Sequence, residues 1–163
     1  MIHSIEPVFD SESRILILGT MPSPKSREVQ FYYGHPQNRF WKVLAAVLGE
    51  NVPQTIPEKK SLLLRHRIAL WDVLATCEID GASDSSIRNP VPNDLSEILD
   101  RASIRAVFTT GAAAWKFYTR FQKPVTGIEA VRLPSTSPAN CAMNLEKLIE
   151  SYQAILPWLC EEI

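Results

Sequence analysis

The chain has 163 residues, 45% of them hydrophobic and 21% charged, the make-up of an ordinary globular protein with enough material for a buried core. No apolar run reaches the roughly 20 residues that cross a bilayer, and the opening "MIHSIEPVFD" has no basic segment leading into an apolar one, so neither a membrane span nor a secretory leader is expected. The net charge of −1 carries no global signal for a polyanionic partner. A soluble cytoplasmic monomer with a single domain over residues 1–163 is the expectation.

In chain order, the first element is "RILILG" (Arg14–Gly19), continuously apolar like a strand covered on both faces. Phe40, Val43, Leu44, Val47 and Leu48 then recur at helical spacing, with Gly49 as a stop. "IALWDVL" (Ile68–Leu74) reads as the second strand. Leu95, Ile98, Leu99 and Ala102 form a second helical stripe behind Asn93 and Asp94, both good caps. "AVFTTG" (Ala106–Gly111) is the third strand and "AAAWKFYTRF" (Ala112–Phe121) a third helix. "EAVRLP" (Glu129–Pro134) is the fourth strand, and a long apolar stripe from Leu145 to Leu159 marks a last helix. Strands alternating with helices predict an α/β fold with a parallel sheet. A ligand site is then expected outside the carboxyl ends of the strands.

The unusual sequences all follow strand ends: "GTMPSPKS", "GASDSSIRNP", "TTG" and "LPSTSPAN". The first is neither a dinucleotide-binding nor a nucleoside-triphosphate-binding glycine motif; its glycine either turns the backbone or opens amides to a ligand. "LPSTSPAN" sets three hydroxyls between two prolines, suited to phosphate contact or to a turn in which Ser137 caps a helix beginning at Pro138. In "YYGHPQNRFW" (Tyr32–Trp41), Asn38 is placed to cap the helix that follows or to orient a water or read a base edge. Phe31, Tyr32 and Tyr33 would then supply an aromatic wall, with Phe40 turned to the core. Gly34 and Pro36 shape the loop.

Cys77, Cys141 and Cys160 lie apart, as do His3, His35 and His66. This pattern predicts neither a disulfide framework nor a metal site. Lys25, Arg27, Arg39 and Lys42 face only Glu28 between Ser23 and Val43, a modest basic face, whereas Glu146, Glu150, Glu161 and Glu162 make the C-terminal segment acidic. Asp72 and Asp84 are the acids near strand ends, and neither has an obvious partner along the chain.

Taken together, "GTMPSPKS" (Gly19–Ser26), "YYGHPQNRFW", "LWDV" (Leu70–Val73), "DSSI" (Asp84–Ile87) and "LPSTSPAN" (Leu133–Asn140) resemble the uracil-DNA glycosylase superfamily, and within it the hypoxanthine-DNA glycosylase branch. The resemblance covers nearly the whole chain and implies a three-layer α/β/α sandwich around a four-stranded parallel sheet. It implies a monofunctional DNA glycosylase acting on damaged DNA without metal or cofactor. Such an enzyme flips out a deaminated base, hypoxanthine first, and hydrolyses its glycosidic bond. Asn38 matches the catalytic asparagine. The base pocket is implied at Gly19, Thr20, Met21, Pro22 and Ser23, joined by Phe31, Tyr32, Gly34, Thr110 and Gly111. Lys25, Ser135, Thr136, Ser137, Pro138, Ala139 and Asn140 are expected to meet DNA.

Two departures from the uracil-specific members matter chemically. Met21 stands where they carry an aspartate, and Leu133 where they carry a histidine. Asn38, a neutral amide, would hold water while the glycosidic bond largely breaks first. Within the branch, Thr110 replaces an asparagine that can read a base edge, and a hydroxyl offers fewer hydrogen bonds. Uracil or thymine in mismatches, or a catalytically silent nucleic-acid or nucleotide-binding module, are the alternative readings.

Overall fold

A computed structural model describes residues 5–80 and 83–159. His3, Gly81, Ala82, Cys160, Glu161 and Glu162, named above, lie outside the described residues. Four parallel strands form the central sheet: β1 (Ile15–Gly19), β2 (Ile68–Asp72), β5 (Ala106–Thr110) and β6 (Ala130–Leu133), in the order β2-β1-β5-β6. Ile15 pairs with Ile68 on one side and Ala106 on the other. Val107 pairs with Ala130. Ile15, Leu16, Ile17 and Leu18 are all fully buried. Since successive side chains leave opposite faces of a strand, both faces of the sheet are covered at β1, whereas Val131 and Arg132 of the edge strand β6 are exposed. Each buried β1 side chain contributes about 1.5–3 kcal/mol relative to exposure. Helices flank the sheet in an α/β sandwich, as expected. At the edge, Val8 bridges Leu70 with paired 2.9 Å hydrogen bonds and shields β2 from further pairing.

The expected helices are present with altered ends. The helix α2 (Phe40–Leu48) stops at Gly49 in the left-handed region and packs on α7 (Leu145–Tyr152). Before the short α4 (Ser96–Leu99), Asp94 Oδ1 accepts from Ser96 N–H. Asn93 turns away instead and donates to Asp72 and Leu74 carbonyls. The helix after β5 is broken: α5 (Ala112–Phe117) passes through a π-turn (Tyr118–Gln122) into α6 (Lys123–Thr126). Pro124 lacks the N–H that a continuous ladder needs, a sufficient cause for the widened turn. The C-terminal stripe bends through a 3₁₀ turn (Gln153–Ile155) into α8 (Leu156–Leu159).

Two helices and a strand pair are additional. α1 (Pro24–Val29) starts at Ser23, whose Oγ accepts from Ser26 N–H. α3 (Ile56–Arg65) starts at Thr55, capped against Glu58. The second predicted strand divides at Val73: β3 (Leu74–Glu78) leaves the sheet and pairs antiparallel with β4 (Arg88–Pro92). Pro90 and Pro92 made β4 read as loop, but β4 has β3 as its partner and an outer edge where a missing N–H is tolerated. One local expectation is corrected. No helix begins at Pro138; Ser137 Oγ instead accepts from Ala139 N–H, and Asn144 caps α7 through Lys147 N–H.

Candidate active site

A cleft of about 150 Å³ opens at the carboxyl ends of the strands, lined by Gly19–Ser23, Ser26, Tyr32, Tyr33, Asn38, Asp72, Ile79, Asp84, Thr110 and Ser135–Ser137. Three loops and the connection from β3 to β4, which brings Ile79 and Asp84, therefore meet there. β1 delivers the first loop directly, and Gly19 is required for space. A Cβ at that position would collide with Asp72 Oδ1 and lie 3.2 Å from Tyr33 Oη. Gly19→Ala should therefore lower stability by about 1–3 kcal/mol and distort the cleft. A thermal melt paired with a rate measurement on the folded variant checks both.

The second loop carries the aromatics and Asn38. Tyr33 adopts φ of 53°, uncommon for a residue with a Cβ. Its ring stacks on Phe40 with centroids 3.9 Å apart and planes 10° apart. Its hydroxyl shares a 3.0 Å hydrogen bond with Thr110 Oγ1. Burial, and then the nearby Asp72 charge, hold the Tyr33 phenol well above the ordinary tyrosine range. Tyr32 is buried, donates to the Glu6 carbonyl at 2.8 Å, and lines part of the cleft.

Asn38 has a defined orientation. Its Oδ1 accepts from Phe40 N–H at 2.9 Å and from the buried Thr136 hydroxyl at 2.8 Å. Both lone pairs of the amide oxygen are then used. Among the described residues Nδ2 has no partner, so the group Asn38 offers to a ligand is a donor. The N-cap of α2 is Arg39 rather than the expected Asn38; Asn38 lies one residue earlier and closes a short turn onto Phe40 N–H, and that hydrogen bond also fixes the amide.

The third loop, after β6, is held by Arg39. Its backbone N–H and Nε both donate to the Thr136 carbonyl, Nη2 to the Ser137 and Asn140 carbonyls, and Nη1 to that of Met143. Ser135 Oγ accepts from Ser137 N–H, and Asn140 Nδ2 donates to the Ser135 carbonyl. The loop is thus stiff before any ligand arrives.

The sequence-predicted residues divide. Gly19, Thr20, Met21, Pro22, Ser23, Tyr32, Asn38, Thr110, Ser135, Thr136 and Ser137 share the cleft. Phe31, Gly34 and Gly111 do not line it. Phe31 stacks on Trp41 under Lys60. Gly34 packs on α1, where a Cβ would sit 2.6 Å from Val29 Cγ2. Gly111, at φ of 89°, abuts Ser135 behind the cleft. Pro138, Ala139 and Asn140 lie beyond the lining, and Lys25 is exposed on α1 beside Glu28. Thr110 spends its hydroxyl on Tyr33 and the Leu18 carbonyl. Tyr33, expected with Tyr32 in the aromatic wall, also lines the cleft, and Ser26, Ile79 and the carboxylates Asp72 and Asp84 are the added lining residues. Asp72 is nearly inaccessible at the floor. Asp84 keeps exposed surface, yet loss of solvent around its carboxyl, and then the Asp72 charge, raise its pKa above the ordinary aspartate value.

Comparison with known proteins finds relatives over most of the chain. The sequence model described as "Uracil DNA glycosylase superfamily" matches residues 6–160. A protein named hypoxanthine DNA glycosylase from Methanosarcina acetivorans is 37% identical over 135 residues, 82% of this chain and 84% of that one. A protein of the same name from Methanosarcina barkeri is 34% identical over 137 residues, 82% and 85% of the two chains. The solution NMR structure of a Methanosarcina acetivorans protein described as a candidate uracil DNA glycosylase superposes with a TM-score of 0.79 at 31% identity. That match covers 96% of this chain and 99% of the other. The chain belongs to the uracil DNA glycosylase superfamily.

Proposed function

We propose that this protein is a monofunctional DNA glycosylase that extrudes a deaminated base, hypoxanthine foremost, and hydrolyses its N-glycosidic bond. The observation that carries the reading is the locked Asn38 amide facing a polar cleft at the strand ends. The two relatives named hypoxanthine DNA glycosylase support the choice of base.

In this reading the flipped nucleotide enters the cleft past the stiff Ser135–Ser137 loop, whose hydroxyls and amides meet the backbone, as such groups commonly do. Asn38 donates from Nδ2 to the oxygen of a water and so holds it near the anomeric carbon. An amide takes no proton, so the bond from sugar to base lengthens first and the sugar gains oxocarbenium character. Positioning of water and sugar can supply up to about 7–11 kcal/mol at ideal orientation. Extruding a poorly paired hypoxanthine costs less than the few kcal/mol needed for a normal base. Among the described residues no lysine lines the cleft, so water rather than an amine is the nucleophile and strand cleavage does not follow.

The test is a set of duplexes carrying one deoxyinosine, deoxyuridine or deoxyxanthosine, incubated with the protein and then treated with alkali to cut abasic sites. Deoxyinosine should be processed fastest. Faster release of uracil would overturn the assignment of the base. Binding without release from any duplex would point to a silent binding module.

A further inference from the structure

We propose that Asp84 is a second catalytic residue, whose carboxylate takes the proton from the water that Asn38 holds. This rests on the glycosylase reading and supplies what Asn38 cannot. With Oδ1 saturated by Phe40 N–H and the Thr136 hydroxyl, the amide only donates, and the water still needs an acceptor for its proton.

The cleft narrows the choice. Ser135 and Ser137 accept from backbone amides of their own loop, and Tyr33 and Thr110 bond to each other. Met21 is a thioether. His35 lies outside the lining and is exposed, with Nδ1 taken by Gln37 N–H. Two carboxylates remain. Asp72 is 4% exposed and seated against Gly19, at the floor of the cleft. Asp84 stands on the 3₁₀ turn (Asp84–Ser86) of the β3–β4 connection, lines the cleft, and keeps exposed surface. Its carboxylate has no hydrogen-bond or ion-pair partner among the described residues. The ionisable groups around it are Asp72 at the end of β2, Tyr33 in the loop before α2 and Cys77 on β3, with Arg27 of α1 also acting on Cys77. Loss of solvent around the carboxyl, and then the Asp72 charge, make Asp84 a better proton acceptor than a free aspartate.

The step balances as a hydrolysis. As the bond between C1′ and the base breaks, its electron pair leaves with the base. The water oxygen bonds to C1′, one water proton passes to the Asp84 carboxylate, and the other remains on the new sugar hydroxyl. Asp84 then yields its proton to solvent or to the departing base anion, regenerating the carboxylate.

A stability signature accompanies the chemistry. With the folded-state pKa raised, the folded protein binds the proton more tightly than the unfolded chain, so Asp84 makes folding less favourable as pH rises through the interval between its ordinary and raised values. Asp84→Asn removes that cost, and its melting temperature at neutral pH should equal or exceed that of the wild type.

The experiment measures single-turnover excision from a deoxyinosine duplex by wild type, Asp84→Asn and Asp84→Glu between about pH 4 and 8, with anisotropy binding to the same duplex. Wild-type rate should fall on the acid side as Asp84 protonates. Asp84→Asn should be roughly 10²–10⁴-fold slower at neutral pH, the range of a positioned proton acceptor, with unchanged binding and no acid limb. Asp84→Glu should recover part of the rate and the limb. A wild-type rate in Asp84→Asn, or an acid limb that survives it, overturns the assignment and leaves the glycosylase reading standing. A wild-type protein inactive on deoxyinosine overturns both.

Discussion

Asn38→Ala should excise hypoxanthine about 10²–10³-fold more slowly, the usual loss when one oriented donor is removed from the reacting centre. The same change should cost stability, because two roles meet in one side chain. The turn that leads into α2 loses the Oδ1 contact to Phe40 N–H, a hydrogen bond worth about 0.5–1.5 kcal/mol. The Thr136 hydroxyl, 1% exposed, also loses its acceptor, a penalty of about 1–3 kcal/mol. Asn38→Ser separates the roles. A serine hydroxyl can accept from Phe40 N–H in the same short turn but has no amide donor, so this variant should melt closer to wild type and remain slow. A serine variant with wild-type excision would reduce Asn38 to a turn-forming residue. Single-turnover rates and thermal melts on the same preparations make the comparison.

Arg39→Ala should produce the second large effect, through the loop rather than through the reacting atoms. One guanidinium holds the carbonyls of Thr136, Ser137, Asn140 and Met143. Hydrogen bonds involving a charged group contribute about 1.5–3 kcal/mol each. The site is half-buried and the bonds share one side chain, so a total loss near 2–4 kcal/mol is expected. Thr136 would then release Oδ1 of Asn38, and displacement of a positioned group by about 1 Å costs up to about 10²-fold in rate. Lysine cannot reproduce a planar fork that reaches four acceptors, so Arg39→Lys should rescue only part of either loss. Urea unfolding measures the stability, and kcat on folded protein the positioning. Full rescue by lysine would show that charge alone, not the fork, holds the loop.

These two predictions also mark where the sequence was readable. β1, β2 and β5 stood out because a strand buried on both faces is close to continuously apolar, whereas the edge strand β6, with Val131 and Arg132 exposed, carries a weaker signal. The β3–β4 hairpin did not, because Pro90 and Pro92 carry the signature of a loop and are tolerated only through its edge position. Family resemblance marked the Gly19–Ser23 and Ser135–Ser137 loops. Of the rings expected in the aromatic wall, Tyr32 and Tyr33 line the cleft, Tyr33 through a left-handed backbone, whereas Phe31 packs on Trp41, a difference no local pattern shows. The Arg39 contacts span 97 to 104 residues along the chain, beyond any local pattern. Asp72 and Asp84 had no visible relation until folding brought the end of β2 beside the hairpin connection. Thr110 likewise read as a reduced base-reading group, and the fold shows its hydroxyl engaged by Tyr33.

The most direct test of the central claim is to quantify free base and abasic sites together after incubating the protein with a deoxyinosine duplex. The expected result is free hypoxanthine released in equal amount to alkali-labile sites, with the strand intact before alkali. No free hypoxanthine from the wild-type protein, or strand breaks at deoxyinosine without release of the base, would contradict it.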